Sequence, residues 1–182
     1  MVEYSDQSNH WYIGDRQSNS GSTYKVIDNF LPEDVFLNIK SELSSSMIPW
    51  QWEDKIAFEE DECSDGYFAS VLYDDSGGIL HPAFKIISPL LDKINPNLCF
   101  RVKMNLYTRT ENLIHHSDHK DMPFSHKGGL FSLNTCDGFT VIEGKEIESV
   151  ANRMIYFDPS VLHHSTNCTN ASARMNININ YY

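Results

Sequence analysis

Residues 174–182 read RMNININYY, and this stretch alternates polar and apolar side chains with a period of two. Successive side chains of an extended strand point to opposite faces, so the two kinds of residue are separated by the backbone. The apolar set is Met175, Ile177, Ile179 and Tyr181, and the polar set is Arg174, Asn176, Asn178 and Asn180. The pattern predicts a strand that packs one face on an apolar core and carries a polar opposite face.

Further β-rich segments precede this strand from residue 98 onward. They are LCFRVKMNLYTR, GLFSLNT, GFTVIEG, KEIESV and RMIYFD. Gly, Asn and Asp residues separate them, as turn residues separate strands. Short strands at regular spacing predict a sandwich or barrel of the Greek-key or jelly-roll type.

The first half of the chain combines helical and extended patterns. The segment 24–30 (YKVIDNF) alternates like a strand, and 31–43 (LPEDVFLNIKSEL) has apolar residues at helical spacing, with Val35, Ile39 and Leu43 on one stripe. A second helical pattern covers 81–94, where Pro89 predicts either a kink or a new segment that begins at Ser88.

We therefore expect a mainly β, α+β domain with N-terminal helices and a double-stranded β-helix (cupin-like jelly-roll) core. In this division, residues 1–22 form a polar arm and 23–182 form one domain. Within that domain, 31–97 supply helical support and 98–182 supply the jelly roll. The acidic run at 59–65 is predicted to be a mobile loop between two short strands.

Composition excludes several classes of function. The chain has 182 residues, which suits one domain, and a formal net charge of -11, which disfavours nucleic acids and anionic membranes as partners. The sequence shows no apolar run long enough to span a membrane and no signal-peptide pattern at its start. Four cysteines without a CxxC pair indicate neither a zinc ribbon nor a disulfide framework. We expect a cytoplasmic protein whose cysteines are reduced. The sequence does not predict its oligomeric state.

Two histidine-rich segments could hold a metal ion. The first, 114–121 (IHHSDHKD), contains His116-Ser117-Asp118, and alternate residues of a strand share a face, so this imidazole and this carboxylate can reach one ion. The second contains His163 and His164, either of which could supply a third ligand. Two histidines and one carboxylate are the ligand set of non-haem Fe(II) oxygenases. An isolated H-x-D is a weak signal, since most occurrences arise by chance.

Arg174 opens the last strand on its polar face. A guanidinium that faces the interior of a sandwich needs an anionic partner. That partner could be a protein carboxylate such as Asp137 or Glu143. It could equally be the distal carboxylate of a bound dicarboxylic acid, held in two-pronged fashion.

Taken together, these residues resemble the 2-oxoglutarate- and Fe(II)-dependent dioxygenases, and most closely their prolyl-4-hydroxylase-like branch. The motifs that carry the resemblance are His116-x-Asp118, His163, Arg174 and Asn105-Leu106-Tyr107-Thr108, in which Tyr107 stands nine residues ahead of His116. The likeness is dense over 98–182 and looser over 24–97.

The resemblance implies that Fe(II) is held by His116, Asp118 and His163. His163 fits better than His164 because one variable residue and then Ser165 follow it. It further implies that 2-oxoglutarate chelates the iron and that its other carboxylate is held by the two residues Arg174 and Tyr107, with Asn105 in the same site. By the same resemblance, His119 and His126 are predicted to be loop residues near the mouth of the site.

The implied activity is a dioxygenase reaction that consumes O2 and 2-oxoglutarate, releases succinate and CO2, and hydroxylates an unactivated C–H bond. A peptidyl proline is the first substrate hypothesis, a free small molecule the second and a nucleobase the third. Asn180 stands where prolyl hydroxylases carry a tryptophan, Ala173 where they often carry a lysine, and Leu113 where they have a second tyrosine. These departures weaken the prediction of a proline substrate and do not affect the prediction of the metal chemistry. The competing hypotheses are a non-catalytic, metal-binding jelly roll of the cupin type and a lectin-like domain without metal.

Overall fold

The computed structural model describes residues 23–45, 47–55 and 66–182. The predicted arm at 1–22 and the predicted acidic loop at 59–65 lie outside these ranges. In chain order the described elements are β1 (Tyr24–Ile27), α1 (Glu33–Ser45), β2 (Gln51–Glu53), β3 (Tyr67–Asp74), β4 (Gly78–Ile79), a 3-10 helix (Pro82–Lys85), α2 (Ser88–Ile94), β5 (Cys99–Thr108), β6 (Lys127–Ser132), β7 (Phe139–Ile142), β8 (Lys145–Glu148), β9 (Met154–Phe157), β10 (His163–Ser165) and β11 (Ala173–Tyr181).

The strands form two antiparallel sheets. The larger sheet has the order β1-β9-β6-β11-β5-β3-β2, with β4 beside β3, and the smaller sheet has the order β10-β7-β8. Glu143 and Gly144, both at positive φ, connect β7 to β8 in a two-residue hairpin whose twist suits the flanking strands. The jelly-roll prediction is confirmed, with the added finding that β2 and β3 from the first half of the chain extend the larger sheet.

The helices cover the outer face of the larger sheet. Ile39 and Leu43 of α1 are buried as predicted, while Val35 of the same stripe is only half-buried and Phe36 is buried beside it. These side chains pack with the apolar face of β11 in one core cluster. The residues of the 81–94 pattern form the 3-10 helix and α2. Of the two alternatives predicted at Pro89, the structure therefore shows a new helix that begins at Ser88 and not a kink.

The inner face of the larger sheet meets the smaller sheet and has two halves of different character. One half is apolar and packs Leu130, Ile142, Ile147, Ile155 and Phe157 into a second core cluster. The other half is polar and lies where β5 pairs with β11. Its cross-strand pairs are Tyr107 with Arg174, Asn105 with Asn176, Lys103 with Asn178, and Arg101 with Asn180. The predicted polar face of β11 therefore points into the sandwich, where it can form a site.

The described cysteines are reduced and partly or fully buried. Cys99, Cys136 and Cys168 are free thiols. Burial raises the pKa of Cys99 to about 11, so this thiol is protonated at neutral pH. Within the described ranges, no helix combines the length and apolar character needed to cross a lipid bilayer.

Candidate active site

Three ligand-type side chains converge at the edge of the polar half. They are His119, Asp121 and His163, and their candidate ligand atoms all lie within 4.8 Å of one another. Nε2 of His119 and Nε2 of His163 are each 3.8 Å from Oδ1 of Asp121. The imidazole centroids are 4.5 Å apart. Within the part of the chain that the structure describes, this is the one such cluster.

Backbone hydrogen bonds hold the two histidines opposite each other. The N–H of His119 donates to the carbonyl of His163 (2.9 Å), and the N–H of His163 donates to the carbonyl of His119 (3.1 Å), which makes an antiparallel bridge. Nδ1 of His119 lies 3.2 Å from the carbonyl of Ser117, and Nδ1 of His163 lies 2.9 Å from that of Val161. Because a carbonyl only accepts, each Nδ1 carries a proton, and Nε2 is the ring nitrogen that faces Asp121.

The second carboxylate oxygen of Asp121 is held from the opposite side. Oδ2 lies 3.0 Å from Nη2 of Arg101 and accepts hydrogen bonds from the amides of Asn178 (3.1 Å) and Asn180 (3.0 Å). Burial on its own raises the pKa of Asp121, but Arg101, His163 and Asn180 together keep it well below the usual range. The carboxylate is therefore ionised, with Oδ1 aimed at the two imidazoles.

This donor set fits a divalent transition metal. Burial, and next the proximity of His163, lower the pKa of His119, which favours the neutral imidazole that metals bind. Donors about 2.1 Å from an octahedral ion are ~3 Å apart, so the observed 3.8 Å separations would need only small side-chain rotations to close on an ion. Two imidazoles and one carboxylate on one side leave further coordination positions open.

The structure does not place the predicted pair His116 and Asp118 in this cluster. His116 is buried, lies 2.8 Å from the hydroxyl of Ser165 through Nδ1, and stacks on Tyr107 at a centroid distance of 5.2 Å. Asp118 has a side chain 59% exposed, and its Oδ1 lies 2.6 Å from Nδ1 of His164. The H-x-D that the structure brings into the cluster is His119-Lys120-Asp121, three residues further along the chain.

An irregular pairing between the two histidine segments explains the difference. His115 bridges Thr166 and His119 bridges His163, so four residue steps on one segment match three on the other. One extra residue in an antiparallel pair shifts which side chains face inward from that point on. The regular alternation that would put His116 and Asp118 on one face therefore does not continue to the residues of the cluster.

The other histidines named in the sequence analysis differ in whether they join the cluster. His163, and not His164, joins the cluster; Nε2 of His164 lies 3.1 Å from Nδ1 of His115 instead. His119 was expected to be a loop residue near the mouth, and it is a central member of the cluster. His126 is buried against Phe100, with ring centroids 5.5 Å apart.

A cavity extends from the cluster across the polar half. Side chains from both sheets line it, namely Asn105, Tyr107, His119, Leu130, Thr140, Phe157, His163, His164, Ser165, Asn176 and Asn178. Arg174 lies behind this lining and is only 1% exposed. Its Nε donates to Ser149 (2.6 Å), its Nη1 to the carbonyl of Thr166 (2.8 Å) and its Nη2 to Thr140 (2.6 Å).

Arg174 has no carboxylate partner among the described residues. Asp137 instead accepts from the N–H of Thr169 (2.8 Å), and Glu143 accepts from the hydroxyl of Thr23. No ion pair in the described ranges includes Arg174. A guanidinium has five N–H donors, and the three neutral acceptors leave its charge uncompensated, so a buried anion at this end of the cavity would be strongly favoured.

Tyr107 and Asn105 both line the cavity as the sequence predicts for site residues. The Tyr107 ring lies 5.5 Å from the Arg174 guanidinium, and burial followed by the neighbouring Tyr67 raises the pKa of its phenol, so the hydroxyl keeps its proton and can donate. The Asn105 amide donates to Oδ1 of Asn176 (2.9 Å).

Sequence reasoning missed several residues of this site. His119 and Asp121 form a second H-x-D inside the quoted segment IHHSDHKD, so the signal was present and the overlap of two motifs concealed it. Gly138 is another: a Cβ there would lie 2.2 Å from the carbonyl oxygen of Asn167 and 2.8 Å from Cδ of Arg174. Only glycine lets the backbone come so close to the buried guanidinium.

Comparison with solved structures identifies this arrangement of sheets. A 2OG-Fe(II) oxygenase family protein from Burkholderia pseudomallei matches with a TM-score of 0.64 and 12% identity, over 91% of this chain and 93% of that one. A prolyl hydroxylase from Trichoplax adhaerens, solved in complex with a hypoxia inducible factor peptide fragment, matches with a TM-score of 0.57 and 17% identity, over 88% and 83%. A Pseudomonas putida prolyl-4-hydroxylase matches with a TM-score of 0.54 and 11% identity, over 87% and 92%.

The fold is that of the 2OG-Fe(II) oxygenases. No protein-family model and no curated protein sequence matches the chain. Two of these three solved structures are prolyl hydroxylases. At these identities the comparison concerns the fold, and the function must be argued from the residues of the site itself.

Proposed function

We propose that this protein is an Fe(II)- and 2-oxoglutarate-dependent dioxygenase that hydroxylates an unactivated C–H bond. The observation that carries the proposal is one cavity that is lined by His119 and His163 of the cluster and has, directly behind its lining residue Thr140, a buried arginine that lacks an acid. One part of the cavity suits a divalent metal and the other suits a carboxylate. A dicarboxylic keto acid bound to the metal is the ligand that would use both.

In this proposal His119, Asp121 and His163 bind the metal, in place of the set first expected from the sequence. Arg174 and the hydroxyl of Tyr107 bind the distal carboxylate of 2-oxoglutarate. When bound, the iron and 2-oxoglutarate supply the oxidising chemistry, in which O2 is consumed and succinate and CO2 are released. The chain itself contributes position, charge and exclusion of water.

Thr140 and Ser149 hold the guanidinium in place before any ligand arrives. Their hydroxyls accept from Nη2 and Nε of Arg174, both at 2.6 Å, so the arginine is preorganised. The buried surroundings strengthen its attraction for a carboxylate because little water screens the charge. Arginine suits this role better than lysine because its planar fork matches a carboxylate with two parallel hydrogen bonds.

A peptidyl proline remains the first substrate proposal, and a free small molecule the second. The Trichoplax adhaerens match, a prolyl hydroxylase complexed with a peptide, supports a peptide in general. The amide nitrogen of Asn180 donates to Oδ2 of Asp121, so this residue contacts a member of the cluster. The tryptophan expected at this position in prolyl hydroxylases therefore has no counterpart in this site.

The test is a titration of the anaerobic, Fe(II)-loaded protein with 2-oxoglutarate. We expect a weak visible charge-transfer band that saturates, and succinate formation once O2 is admitted. Arg174→Met should weaken 2-oxoglutarate binding by at least about tenfold, through loss of charge-assisted hydrogen bonds, while Fe(II) binding is retained. If Fe(II) binds and no band forms, the protein is a metal-binding jelly roll without this activity.

A further inference from the structure

His116 is a buried imidazole beside the proposed cosubstrate site, and it is not part of the metal cluster. Only 4% of the residue is exposed, and its Nδ1 lies 2.8 Å from the hydroxyl of Ser165. Its ring stacks on the ring of Tyr107, with centroids 5.2 Å apart and an angle of 28° between the planes. Ser165 and Tyr107 both line the cavity. His116 therefore contacts two residues that a ligand in the cavity would meet.

Backbone pairing fixes His116 beside Ser165. The N–H of His116 donates to the carbonyl of Ser165 (3.0 Å), so the same two residues are joined through both the main chain and the side chains. On the other side of β10, the cross-strand partner of Ser165 is Thr140 of β7. Ser165 is thus held between a strand of the smaller sheet and the segment that carries His116.

Two neighbouring hydroxyls of the smaller sheet face the two side chains proposed to bind the distal carboxylate. The hydroxyl of Thr140 accepts from Nη2 of Arg174 (2.6 Å). The hydroxyl of Ser165 lies within hydrogen-bonding reach of the Tyr107 phenol. Thr140 and Ser165 are a cross-strand pair of the smaller sheet. Arg174 and Tyr107 are a cross-strand pair of the larger sheet. Each of the two proposed ligand-binding side chains is therefore matched by one hydroxyl of the opposite sheet.

We infer that His116 is a positioning residue for the cosubstrate, which orients the Tyr107 hydroxyl toward the distal carboxylate through the hydroxyl of Ser165. The stacked imidazole restrains the Tyr107 ring at the same time. The inference rests on the proposed function and deepens it, since it names two further residues that act on the binding of 2-oxoglutarate.

The number of protons on each group sets the direction of these hydrogen bonds. A carboxylate only accepts, so Tyr107 must donate its single hydroxyl proton in order to bind one. The phenol oxygen then accepts from Ser165, which also has a single proton to give. Ser165 in turn accepts from Nδ1 of His116, so this nitrogen carries the proton. Each donor polarises the next, and the whole chain directs the Tyr107 proton at the ligand.

The electrostatics of the Tyr107 phenol agree with this direction. Burial, and next the neighbouring Tyr67, raise its pKa, whereas the hydrogen bond from Ser165 opposes the rise, as a donor to the phenol oxygen does. The phenol keeps its proton and can pass it into a hydrogen bond with a carboxylate. The Tyr67 ring also stacks on that of Tyr107, with centroids 5.3 Å apart, which further limits the movement of the phenol.

A residue that served packing alone would not need a ring nitrogen at position 116. An imidazole is costly to bury unless its polar atoms are bonded, and phenylalanine would fill a similar space without that requirement. The two roles can be separated by experiment, because only the positioning role distinguishes a ligand with a distal carboxylate from a ligand without one.

The experiment compares 2-oxoglutarate with 2-oxopentanoate, a 2-oxo acid of the same chain length that lacks the distal carboxylate. Each acid is titrated anaerobically into the Fe(II)-loaded protein, and the charge-transfer band reports binding. His116→Phe keeps an aromatic ring and removes the donor, and Ser165→Ala removes the middle of the chain. His126→Phe is the matched control, because His126 is equally buried, has Nδ1 2.9 Å from a backbone carbonyl and lies outside the cavity lining.

We expect His116→Phe and Ser165→Ala each to weaken 2-oxoglutarate binding by about 3- to 10-fold and to leave 2-oxopentanoate binding within about twofold of wild type. His126→Phe should change neither affinity. In a Tyr107→Phe background, His116→Phe should have no further effect, because the hydroxyl through which it acts is gone. Calorimetric titration with Co(II) should show that His116→Phe binds the metal within about threefold of wild type.

Four results would overturn the inference. Equal losses for the two acids would give His116 a purely structural role, and unchanged 2-oxoglutarate affinity in both variants would show that Tyr107 does not need it. A full further loss in the Tyr107→Phe background would mean that His116 does not act through that hydroxyl. Loss of Co(II) binding in His116→Phe would make His116 a metal ligand. Absence of the band in the wild-type protein refutes the proposed function and the inference with it, whereas the other failures leave the proposed function standing.

Discussion

Arg101 forms an ion pair with the carboxylate oxygen of Asp121 that faces away from the two histidines. Nη2 of Arg101 lies 3.0 Å from Oδ2, while Oδ1 lies 3.8 Å from Nε2 of both His119 and His163. With the amides of Asn178 and Asn180 on the same Oδ2, the carboxylate is fixed in one orientation before a metal binds. Groups that orient a metal ligand in this way commonly decide metal affinity.

Arg101→Gln should lower Fe(II) or Co(II) affinity by about 10- to 100-fold, because Asp121 loses the cation that orients it. Calorimetric titration, or the visible spectrum of the Co(II) protein, measures the change. Arg109→Gln is the control, since Arg109 is exposed beyond the end of β5. Equal metal affinity in the wild-type and Arg101→Gln proteins would show that the two amides suffice.

The position of His119 and Asp121 in the cluster predicts a difference between two aspartates three residues apart, Asp121 and Asp118. Asp121→Asn should remove the stabilisation of the folded protein by Co(II), because the cluster loses its negative ligand. Asp118→Asn should retain it, because that exposed carboxylate contacts His164 instead. Thermal unfolding with and without Co(II) measures both variants. Loss of the metal effect in Asp118→Asn alone would restore the pair first expected from the sequence.

Gly138→Ala should destabilise the fold by about 1–3 kcal/mol, because the added methyl group meets the Asn167 backbone and the Arg174 side chain. It should also weaken 2-oxoglutarate binding, because Arg174 must move. The control is Gly77→Ala, where the added group meets chiefly the flexible end of Leu80. Urea unfolding and the charge-transfer titration measure the two effects, and a normal cosubstrate affinity in Gly138→Ala would contradict the second.

The metal-free protein should lose stability in acid through Asp121. Its pKa in the folded protein is lower than in the unfolded chain, so the unfolded state takes up a proton first as the pH falls. The stabilising contribution is therefore complete above about pH 5, and it declines as the pH drops through about 4 toward the lower, folded pKa. Urea unfolding of wild type and Asp121→Asn in EDTA should show a difference at pH 7 that shrinks below pH 4. A difference that does not vary with pH would contradict the assignment.

The fold was predictable from local patterns. The alternation of RMNININYY placed Ile177 and Ile179 on the core and Asn176 on the opposite face, and the structure confirms both. The helical stripe of α1 was predictable for the same reason, since burial on one face imposes a period. Such patterns depend only on neighbours in the chain.

The site was less predictable because it depends on register between distant segments. Arg174, Tyr107 and Asn105 lie inside regular strands, where alternation predicts the face of each side chain; Tyr107 and Asn105 line the cavity, and Arg174 lies behind the lining. His119 lies past an irregularity of pairing with β10, and no local pattern reports where an extra residue is accommodated. The contacts of Arg101 with Asp121 and of Lys103 with Tyr67 were likewise invisible, because each joins residues that are distant in the chain.

The segments that carry the two histidines of the metal cluster are joined by reciprocal backbone hydrogen bonds at His119 and His163, and by side-chain contacts such as that of Asp118 with His164. A bound ion would cross-link the loop before β6 to β10. Loss of the ion should loosen both segments together and open the chain to proteolytic cleavage. If the proposed function holds, the supply of iron would through this cross-link govern how long each molecule survives proteolysis, as well as how fast it turns over.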